Sequence, residues 1–306
     1  MSKIPLIVLM GPTASGKTSM AVEICKKYGG EVVTADSMQV YKHMNIGTAK
    51  PDEEEMQGIK HHMIDLVEPT EEYSLADYVK EAKKVIEDIH SRGKLPVLAG
   101  GTGLYIDTLI SDIALSDGDK DEALREELSQ LAKTQGEDKL FEMLREIDPE
   151  SCETIHKNNV KRVIRAIEFF KTTGIKQSDH IKNTVKNSPY DLTKFCLTWD
   201  REVLYERINK RVDIMFDMGL EEEVKKVRAM GVTSKHTSMQ GIGYKEVFPY
   251  LDGHMTLEET KDIIKQGTRR YAKRQITWFK REEKTNFVPA RFEIIDDIIK
   301  KERYYE

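Results

Sequence analysis

The stretch KIPLIVLMGPTASGKTSMAVEICKKY, residues 3–28, decides the predicted fold. Its apolar run from Ile4 to Met10 stops at Gly11 and is typical of a buried strand. Residues 11–18, GPTASGKT, match the pattern G-x-x-x-x-G-K-[ST] at every fixed position. Apolar residues then recur at helical spacing from Met20 to Cys25. A strand, a glycine-rich turn and a helix in this order favour a phosphate-binding loop over a chance match in an ordinary turn.

The chemistry of this phosphate loop follows from its backbone. Glycines allow successive N–H groups to curl around an anion, and the helix behind them adds its positive end. Lys17 supplies a mobile positive charge, and the hydroxyl of Thr18 can ligate Mg²⁺. We therefore expect a di- or triphosphate to be bound by Gly11, Pro12, Thr13, Ala14, Ser15, Gly16, Lys17 and Thr18. The motif does not say whether that phosphate belongs to a nucleotide.

Composition limits the class of protein. The chain has 306 residues, which suggests about two domains, and a net charge of −5, so any nucleic-acid contact must come from local basic patches. Its three cysteines form no C-x-x-C pair, which predicts neither a disulfide framework nor a zinc site. No apolar run approaches the ~20 residues that span a bilayer, and the N-terminus lacks the pattern of a signal peptide. We expect a cytoplasmic protein without a membrane partner, and a monomer.

Strands alternate with helices over the first part of the chain. Glu31 to Ala35 and Leu95 to Ala99 read as further strands, and Ser74 is placed to cap a helix that runs to about Arg92. This alternation predicts an α/β fold with a P-loop NTPase-like parallel sheet flanked by helices.

Helical patterns replace strands from about residue 112. Amphipathic helices are predicted over Asp121 to Lys133, Asp138 to Ile147 and Asn159 to Thr172, before a strand-like run from Lys194. We expect residues 113–197 to form a helical insertion domain. Residues 1–112 and 198–306 would then form the α/β core, with a mostly helical C-terminal half.

Polar residues follow three of the predicted strands. They are the phosphate loop, the pair Asp36-Ser37, and the run from Gly100 to Gly103. In an open parallel sheet the carboxyl ends of the strands line one crevice, so these loops should meet there. Asp36 is the candidate general base or metal partner, although a strand-end aspartate is often only a turn residue. Thr102 can hydrogen-bond a reacting group or be an ordinary turn residue.

One acidic residue is missing from the pattern of a nucleotidase. Phosphate-loop nucleotidases end a later apolar strand with an acid that holds Mg²⁺, whereas the strand here ends in Gly100-Gly101. Asp65 is a possible substitute, but the nearby Val67 and Pro69 suggest a structural segment. The loop is therefore expected to hold a leaving group rather than to drive hydrolysis.

Basic patches lie in the insertion and the C-terminal half. Residues 261–284 contain nine Lys or Arg and three acidic residues, mixed with Tyr271, Trp278 and Phe279. Cations beside aromatic rings suit looped RNA, but the same composition fits a solvated helix whose rings face the core. Residues 157–171 form a second patch, whose cations fit an ordinary solvated helix face at least as well as an RNA contact. Arg207 and Arg211 are an i, i+4 pair that is either structural or a phosphate clamp.

These segments together resemble the bacterial tRNA dimethylallyltransferases, also called isopentenyl-diphosphate:tRNA transferases. The most specific matches are DSMQVY and GTAKP within residues 36–51, GGTGLY at 100–105 and KRQITW at 273–278. Others are KNNVKRVIRAIE at 157–168, RINKRVDIMFDMG at 207–219 and GIGYKE at 241–246. The resemblance covers nearly the whole chain, to about Arg281.

The resemblance implies a reaction. Dimethylallyl diphosphate donates its five-carbon group to the exocyclic N6 amine of the adenosine beside the tRNA anticodon, and diphosphate leaves. The target base is extruded from the anticodon loop, as happens when chemistry must reach a buried base atom. By resemblance Asp36 is the general base, Thr102 contacts the reacting region, Arg211 assists the diphosphate with Lys17, and Mg²⁺ is bound at Thr18.

The resemblance also implies a set of tRNA contacts, the insertion among them. They are Asp36, Ser37, Met38, Gln39, Thr102, Arg125, Lys161, Arg162, Val163, Ile164, Arg165, Met239, Gln240, Gly241, Ile242, Gly243, Lys273, Arg274, Gln275, Thr277, Trp278 and Lys280. The chain departs from the family at Asn45, where the relatives often carry Asp, so an electrostatic role is not expected there.

Three other functions compete with a tRNA prenyltransferase. A small-molecule kinase would share the phosphate loop but lacks its strand-end acid. An adenylate isopentenyltransferase would need neither the insertion nor a basic C-terminal helix, and a non-catalytic RNA-binding protein would not need Asp36. A prenyltransferase of the aspartate-rich architecture is disfavoured because Asp296-Asp297 is followed by Lys300 rather than by a third Asp.

Overall fold

A computed structural model gives the structure of the protein over residues 3–111, 121–183 and 188–303. Its centre is one six-stranded sheet in the order β3-β2-β4-β1-β5-β6, in which all neighbouring strands are parallel. The strands are β1 (Ile4–Met10), β2 (Gly30–Ala35), β3 (His61–His62), β4 (Leu95–Gly100), β5 (Tyr190–Thr198) and β6 (Thr285–Pro289). The predicted α/β fold is confirmed.

Helices follow the strands on both sides. They are α1 (Lys17–Tyr28), α2 (Glu53–Met56), α3 (Leu75–Ser91), α4 (Gly103–Ile110), α5 (Glu122–Gln135), α6 (Glu137–Ile147), α7 (Ser151–Thr154), α8 (Val160–Thr173), α9 (Gln177–Asn183), α10 (Arg201–Asp217), α11 (Leu220–Ala229), α12 (Phe248–Leu251), α13 (Leu257–Phe279) and α14 (Phe292–Arg303), with a 3-10 turn at Thr237–Gln240. No helix among these described residues is long and apolar enough to cross a membrane.

Local chemistry fixes several helix ends. Ser74 begins α3 with a capping box, since its side chain accepts from the Asp77 N–H while the Asp77 carboxylate accepts from the Ser74 N–H. Thr256 and Glu259 form the same arrangement at α13. Gly29 ends α1 in the left-handed region at φ 66°, which a residue with a Cβ adopts at a cost.

The core of the sheet unit lies between the strands and the surrounding helices. Ile7 and Leu9 of β1 are fully buried and pack with Ala21 and Ile24 of α1. A strand buried on both faces reads as a continuous apolar run, which explains why residues 4–10 show no alternation.

The chain forms two compact units, residues 1–111 with 188–306 and residues 112–187. In the second unit the apolar faces of α5, α6 and α8 pack around Leu128, Leu144 and Val163. The end expected for the insertion, residue 197, is corrected because β5 pairs with β1 from Tyr190 onwards. Polar residues in its first half, Asp191 and Thr193, hid that strand from a search for apolar runs.

Candidate active site

Three loops meet at the carboxyl edge of the sheet. β4 lies between β1 and β2, and Gly100 at its end is in register with both Met10 and Ala35. The Thr102 N–H donates to the Ala35 carbonyl at 3.2 Å, and the Ser37 N–H donates to Thr102 Oγ1 at 3.2 Å. The predicted convergence of the strand ends is confirmed.

The phosphate loop is braced from outside. Ala14 and Gly16 have φ angles of 61° and 88°, the left-handed turns from which consecutive N–H groups form an anion-binding nest. The Arg207 Nε donates to the Ala14 carbonyl at 2.8 Å, and the Trp199 indole N–H donates to the Ser15 carbonyl at 3.0 Å. Arg207 therefore supports the phosphate loop, so of the two roles considered for the arginine pair it has the structural one.

Lys17 and Arg211 bring two positive charges to the loop. The Lys17 ammonium donates to the carbonyls of Gly11 and Pro12 at 3.0 and 2.8 Å. Burial, and then the charge of Arg211, lower the pKa of Lys17 to about 8, while Asp36 opposes the shift. The three charged groups thus lie close enough to influence one another, and their sum favours an anionic ligand.

Asp36 follows β2 and is half-buried. Its Oδ1 accepts hydrogen bonds from the N–H groups of Met38 at 2.9 Å and Gln39 at 3.4 Å. Its other oxygen has no hydrogen-bond partner within the described ranges. A carboxylate that is fixed through one oxygen and open at the other can accept a proton from a ligand.

Gln275 of α13 joins two of the loops. Its Oε1 accepts from the Thr13 N–H at 2.9 Å, and its Nε2 donates to the Gly101 carbonyl at 2.8 Å. Gln275 is only 5% exposed, so its side chain supports these two loops, and its contact with tRNA stays a prediction. One turn earlier lies Tyr271, whose pKa is raised to about 12 by burial and then by Asp36. Sequence reasoning did not assign Tyr271 to the site.

The residues at the loop fit a magnesium ion that is shared with a phosphate. Thr18 lies in the first turn of α1, and its hydroxyl has no hydrogen-bond partner in the part of the chain that the structure describes. No group of three or more His, Cys, Asp or Glu side chains there could hold a metal by itself. Mg²⁺ commonly binds through one or two protein oxygens plus substrate phosphates, which this arrangement allows. Asp65, the other metal candidate, instead pairs with Lys50 at 2.6 Å.

Several expected tRNA contacts in the sheet unit are internal packing residues. Met239 is fully buried, and Gly241 and Gly243 are buried as well, while their contact with tRNA stays a prediction. Gln39 donates through Nε2 to the carbonyls of Thr48 and Ala49, both at 3.1 Å. Gln240 is exposed, and Ile242, Ser37 and Met38 are half-buried.

The basic segment of α13 has exposed cations, as an RNA-binding helix would, and an aromatic ring that packs inside the protein, as a solvated helix would. The side chains of Lys273, Arg274, Thr277 and Lys280 are exposed. The Trp278 indole N–H donates to Asp107 Oδ2 at 2.6 Å, and its ring fills the space at Gly103, where an added Cβ would come within 2.4 Å. The cations of this helix can therefore face RNA, whereas Trp278 fastens α13 to α4.

The predicted tRNA contacts in the second unit are also of two kinds, some exposed and some buried. Lys161 and Arg162 are exposed on α8, but Val163 is fully buried and Ile164 packs on the same cluster. Arg125 and Arg165 both pair with the fully buried Glu168, at 2.8 and 2.9 Å. Those two arginines neutralise a buried carboxylate. The contacts of this unit with tRNA stay a prediction.

Fold and site together define a phosphate-loop α/β protein that holds a carboxylate beside an anion-binding nest. Comparison with known proteins narrows this class. The model of the IPP transferase family matches residues 39–282, most of the chain, so the protein belongs to the IPP transferase family.

Curated relatives agree with this assignment. The chain is 51% identical to a tRNA dimethylallyltransferase of Acetivibrio thermocellus, over 98% of this chain and 96% of the relative. It is 50% identical to the tRNA dimethylallyltransferase of Caldanaerobacter subterraneus, over 90% of this chain and 89% of the relative.

Solved structures agree as well. A tRNA isopentenylpyrophosphate transferase from Bacillus halodurans is 44% identical with a TM-score of 0.72, over 99% of this chain and 95% of that one. A eukaryotic dimethylallyltransferase acting on tRNA is 32% identical with a TM-score of 0.80, over 90% of this chain and 70% of that one.

Proposed function

We propose that this protein transfers the dimethylallyl group of dimethylallyl diphosphate to the N6 amine of the adenosine beside the anticodon of a tRNA. One observation carries the proposal: Asp36 offers a carboxylate oxygen at the edge where the phosphate loop and Thr102 meet. A leaving diphosphate and an attacking amine need an anion site and a base side by side. The names of the curated relatives support the same reaction.

The phosphate loop would hold the diphosphate. Its N–H groups, Lys17 and Arg211 would stabilise the negative charge that grows on the leaving oxygen. Mg²⁺, held by Thr18 and the diphosphate, would supply further charge neutralisation when bound. Lys17 now donates to two loop carbonyls, so its ammonium is already aimed into the nest.

Asp36 would take the proton of the attacking amine. The N6 nitrogen forms a bond to the first carbon of the dimethylallyl group while the bond from that carbon to the diphosphate oxygen breaks. The lone pair of N6 is delocalised into the adenine ring, so a positioned base lowers the barrier. Thr102 Oγ1 accepts from the N–H of Ser37, the residue after Asp36, and would help to orient the Asp36 carboxylate.

Two basic surfaces would bind the tRNA backbone. Lys161 and Arg162 are exposed on α8, and Lys273, Arg274 and Lys280 are exposed on α13 and at its end. Exposed cations neutralise phosphates and make binding depend on salt. A protein that acts on tRNA in this way would work in the cytoplasm.

A prenyl-transfer assay with competing acceptors tests the proposal. The protein is incubated with labelled dimethylallyl diphosphate, Mg²⁺ and unmodified tRNA, with AMP and ATP offered separately. We expect label in the tRNA, at the adenosine beside the anticodon. Label in AMP alone would instead identify an adenylate isopentenyltransferase, and consumption of ATP without prenyl transfer would identify a kinase.

A further inference from the structure

The segment that carries Asp36 continues to Lys50, and α11 holds its far end. We call residues 36–50 the Asp36 loop. The Glu223 carboxylate accepts hydrogen bonds from three consecutive N–H groups, those of Asn45, Ile46 and Gly47, at 2.9 to 3.1 Å. Glu223 is only 9% exposed. Three amides on one buried carboxylate fix the path of the loop at that point.

Tyr244 completes this arrangement. Its hydroxyl donates to Glu223 Oε1 at 2.6 Å, and the side chain is fully buried. Its ring occupies the space beside Gly47, where an added Cβ would come within 2.5 Å. Gly47 and Tyr244 therefore fit one another, which gives the GTAKP and GIGYKE motifs a shared physical role.

The shape of the Asp36 loop has to be imposed by such contacts. His43 and Ala49 have φ angles of 63° and 50°, a region that residues with a Cβ adopt at an energetic cost. Lys50, at the end of the loop, is held by the Asn45 Oδ1 at 2.9 Å and by Asp65 at 2.6 Å. A strained segment keeps one conformation only where its neighbours over-determine it.

We call Glu223 and Tyr244, together with the loop N–H groups that Glu223 binds, the clasp. Hydrogen bonds connect this clasp to Asp36. Gln39 donates to the carbonyls of Thr48 and Ala49, which joins the beginning of the loop to its end. The Gln39 N–H in turn donates to Asp36 Oδ1, as does the Met38 N–H. The Met38 side chain packs against Gly241, in the segment that leads to Tyr244.

We propose that Glu223, assisted by Tyr244, is a positioning residue that sets the Asp36 loop and through it the orientation of the Asp36 carboxylate. The proposal rests on the proposed role of Asp36 as the base. Glu223 is buried at the far end of the loop and would act without touching either substrate. Its effect is on the geometry of proton transfer, while binding of the prenyl diphosphate at the phosphate loop is independent of it.

Two conservative substitutions test the clasp. Glu223→Gln keeps the size of the side chain but replaces one acceptor oxygen with an NH₂ group that cannot accept from the loop amides. Tyr244→Phe keeps the ring beside Gly47 and removes one hydrogen bond. The same helix offers a matched control. Glu221 accepts a hydrogen bond of 3.2 Å from the Tyr250 hydroxyl, and this pair does not bind the Asp36 loop. Glu221→Gln and Tyr250→Phe should leave turnover within about 2-fold of wild type.

The kinetic result expected for Glu223→Gln is a fall in kcat of about 10- to 100-fold, with the KM for dimethylallyl diphosphate within about 2-fold. For Tyr244→Phe we expect kcat to fall by about 3- to 10-fold. In an Asp36→Ala background, Glu223→Gln should lower kcat by less than about a further 3-fold, because the carboxylate that Glu223 positions is already absent. Normal kcat in folded Glu223→Gln, or an equal loss in both backgrounds, would overturn the proposal.

Hydrogen exchange gives a readout that does not depend on the reaction. Glu223→Gln should raise amide exchange in peptides covering residues 36–50 and leave the phosphate loop unchanged. If wild type fails to prenylate tRNA, the proposed function fails while this measurement still reports on the clasp. Unchanged exchange in the Asp36 loop would refute the clasp, and Tyr244→Phe serves the same test if Glu223→Gln does not fold.

Discussion

The two edges of the sheet treat charged side chains in opposite ways. At the amino edge Glu31, whose side chain is 4% exposed, pairs with Arg92, Lys94 and His62, all at 2.7 Å. At the carboxyl edge Lys17, Arg211 and Asp36 lie near one another, yet in the described residues they form no ion pair among themselves. The Lys17 ammonium donates to backbone carbonyls instead, and Asp36 Oδ1 accepts from backbone N–H groups. Charges that satisfy each other stabilise a fold, whereas charges held apart remain available to a ligand.

The pKa shifts express the same contrast. Hydrogen bonds from Arg92 hold the pKa of Glu31 far below its ordinary value, although burial acts in the other direction. At the carboxyl edge burial lowers the pKa of Lys17 to about 8, and no ion pair among the described residues offsets this shift. The charged groups at the amino edge therefore neutralise one another. At the carboxyl edge the buried charge of Lys17 would be stabilised by a bound anion.

Replacement of Asp36 tests the carboxyl edge most strongly. Asp36→Ala should reduce prenyl transfer to tRNA by about 10²- to 10⁴-fold, because the amine would lose its base. The affinity for tRNA, measured by filter binding, should persist. Asp36→Asn is the matched variant, since its remaining oxygen can still accept from Met38 and Gln39 while it cannot take a proton. Near-normal turnover in Asp36→Asn would remove the role of base from this residue.

Loss of Lys17 should have the next largest effect. Lys17→Met keeps the length of the side chain and removes the charge, so turnover should fall by about 10²- to 10³-fold. Inhibition by inorganic diphosphate should weaken in parallel, and Lys26→Met at the other end of α1 is the control. Unchanged inhibition by diphosphate in Lys17→Met would show that the leaving group binds elsewhere.

Sequence predicted most of this edge and little of its support. The phosphate loop, Asp36 and Thr102 follow strands whose apolar runs are evident from local sequence alone. Glu223 stands in a run of three glutamates and contacts residues 176 to 178 positions away, so residue type gave no signal. Its spacing from Leu220, Val224 and Val227 does place it on the buried face of α11, a signal that could have found it.

Local sequence was also insufficient for α13 and for the edge strand β6. Gln275 shares the buried face of α13 with Ile264, Ala272 and Phe279, so a polar residue at an apolar position was the available clue. β6 was missed because it has only five residues and only one of them, Val288, is buried, so it shows no apolar run. Composition could not tell which way the rings of the basic segment point, since that is decided by the fit of Trp278 to Gly103.

The amino edge should respond in stability rather than in turnover. Glu31→Gln should lower the free energy of unfolding by about 2–3 kcal/mol at neutral pH, since Arg92 and Lys94 would lose a buried partner. Turnover per folded molecule should stay near wild type. The measurement is urea unfolding followed by circular dichroism. A loss of turnover without a loss of stability would contradict the contrast between the two edges.

The pH dependence of that difference follows from the sign of the shift. The folded-state pKa of Glu31 lies below its ordinary 4.5, so its contribution is fully present above pH 4.5 and is lost as the pH falls through the folded value. The stability gap between wild type and Glu31→Gln should thus narrow in acid. A gap that stays constant down to about pH 3 would mean that the carboxylate is not what stabilises this edge.

The smallest effect concerns cations that are exposed and lie outside both edges. Lys273→Ala with Arg274→Ala should weaken tRNA binding by about 10-fold and reduce the slope of log affinity against log salt by about 1 to 2, as expected for one or two lost phosphate contacts. Lys80→Ala with Lys84→Ala, exposed on α3, is the matched pair of charge losses and should leave the slope unchanged. Because these side chains are not buried, stability should not change in either double variant. If the salt slope of the α13 variant equals that of wild type, its cations do not face phosphate, and the charges available to a ligand are confined to the carboxyl edge.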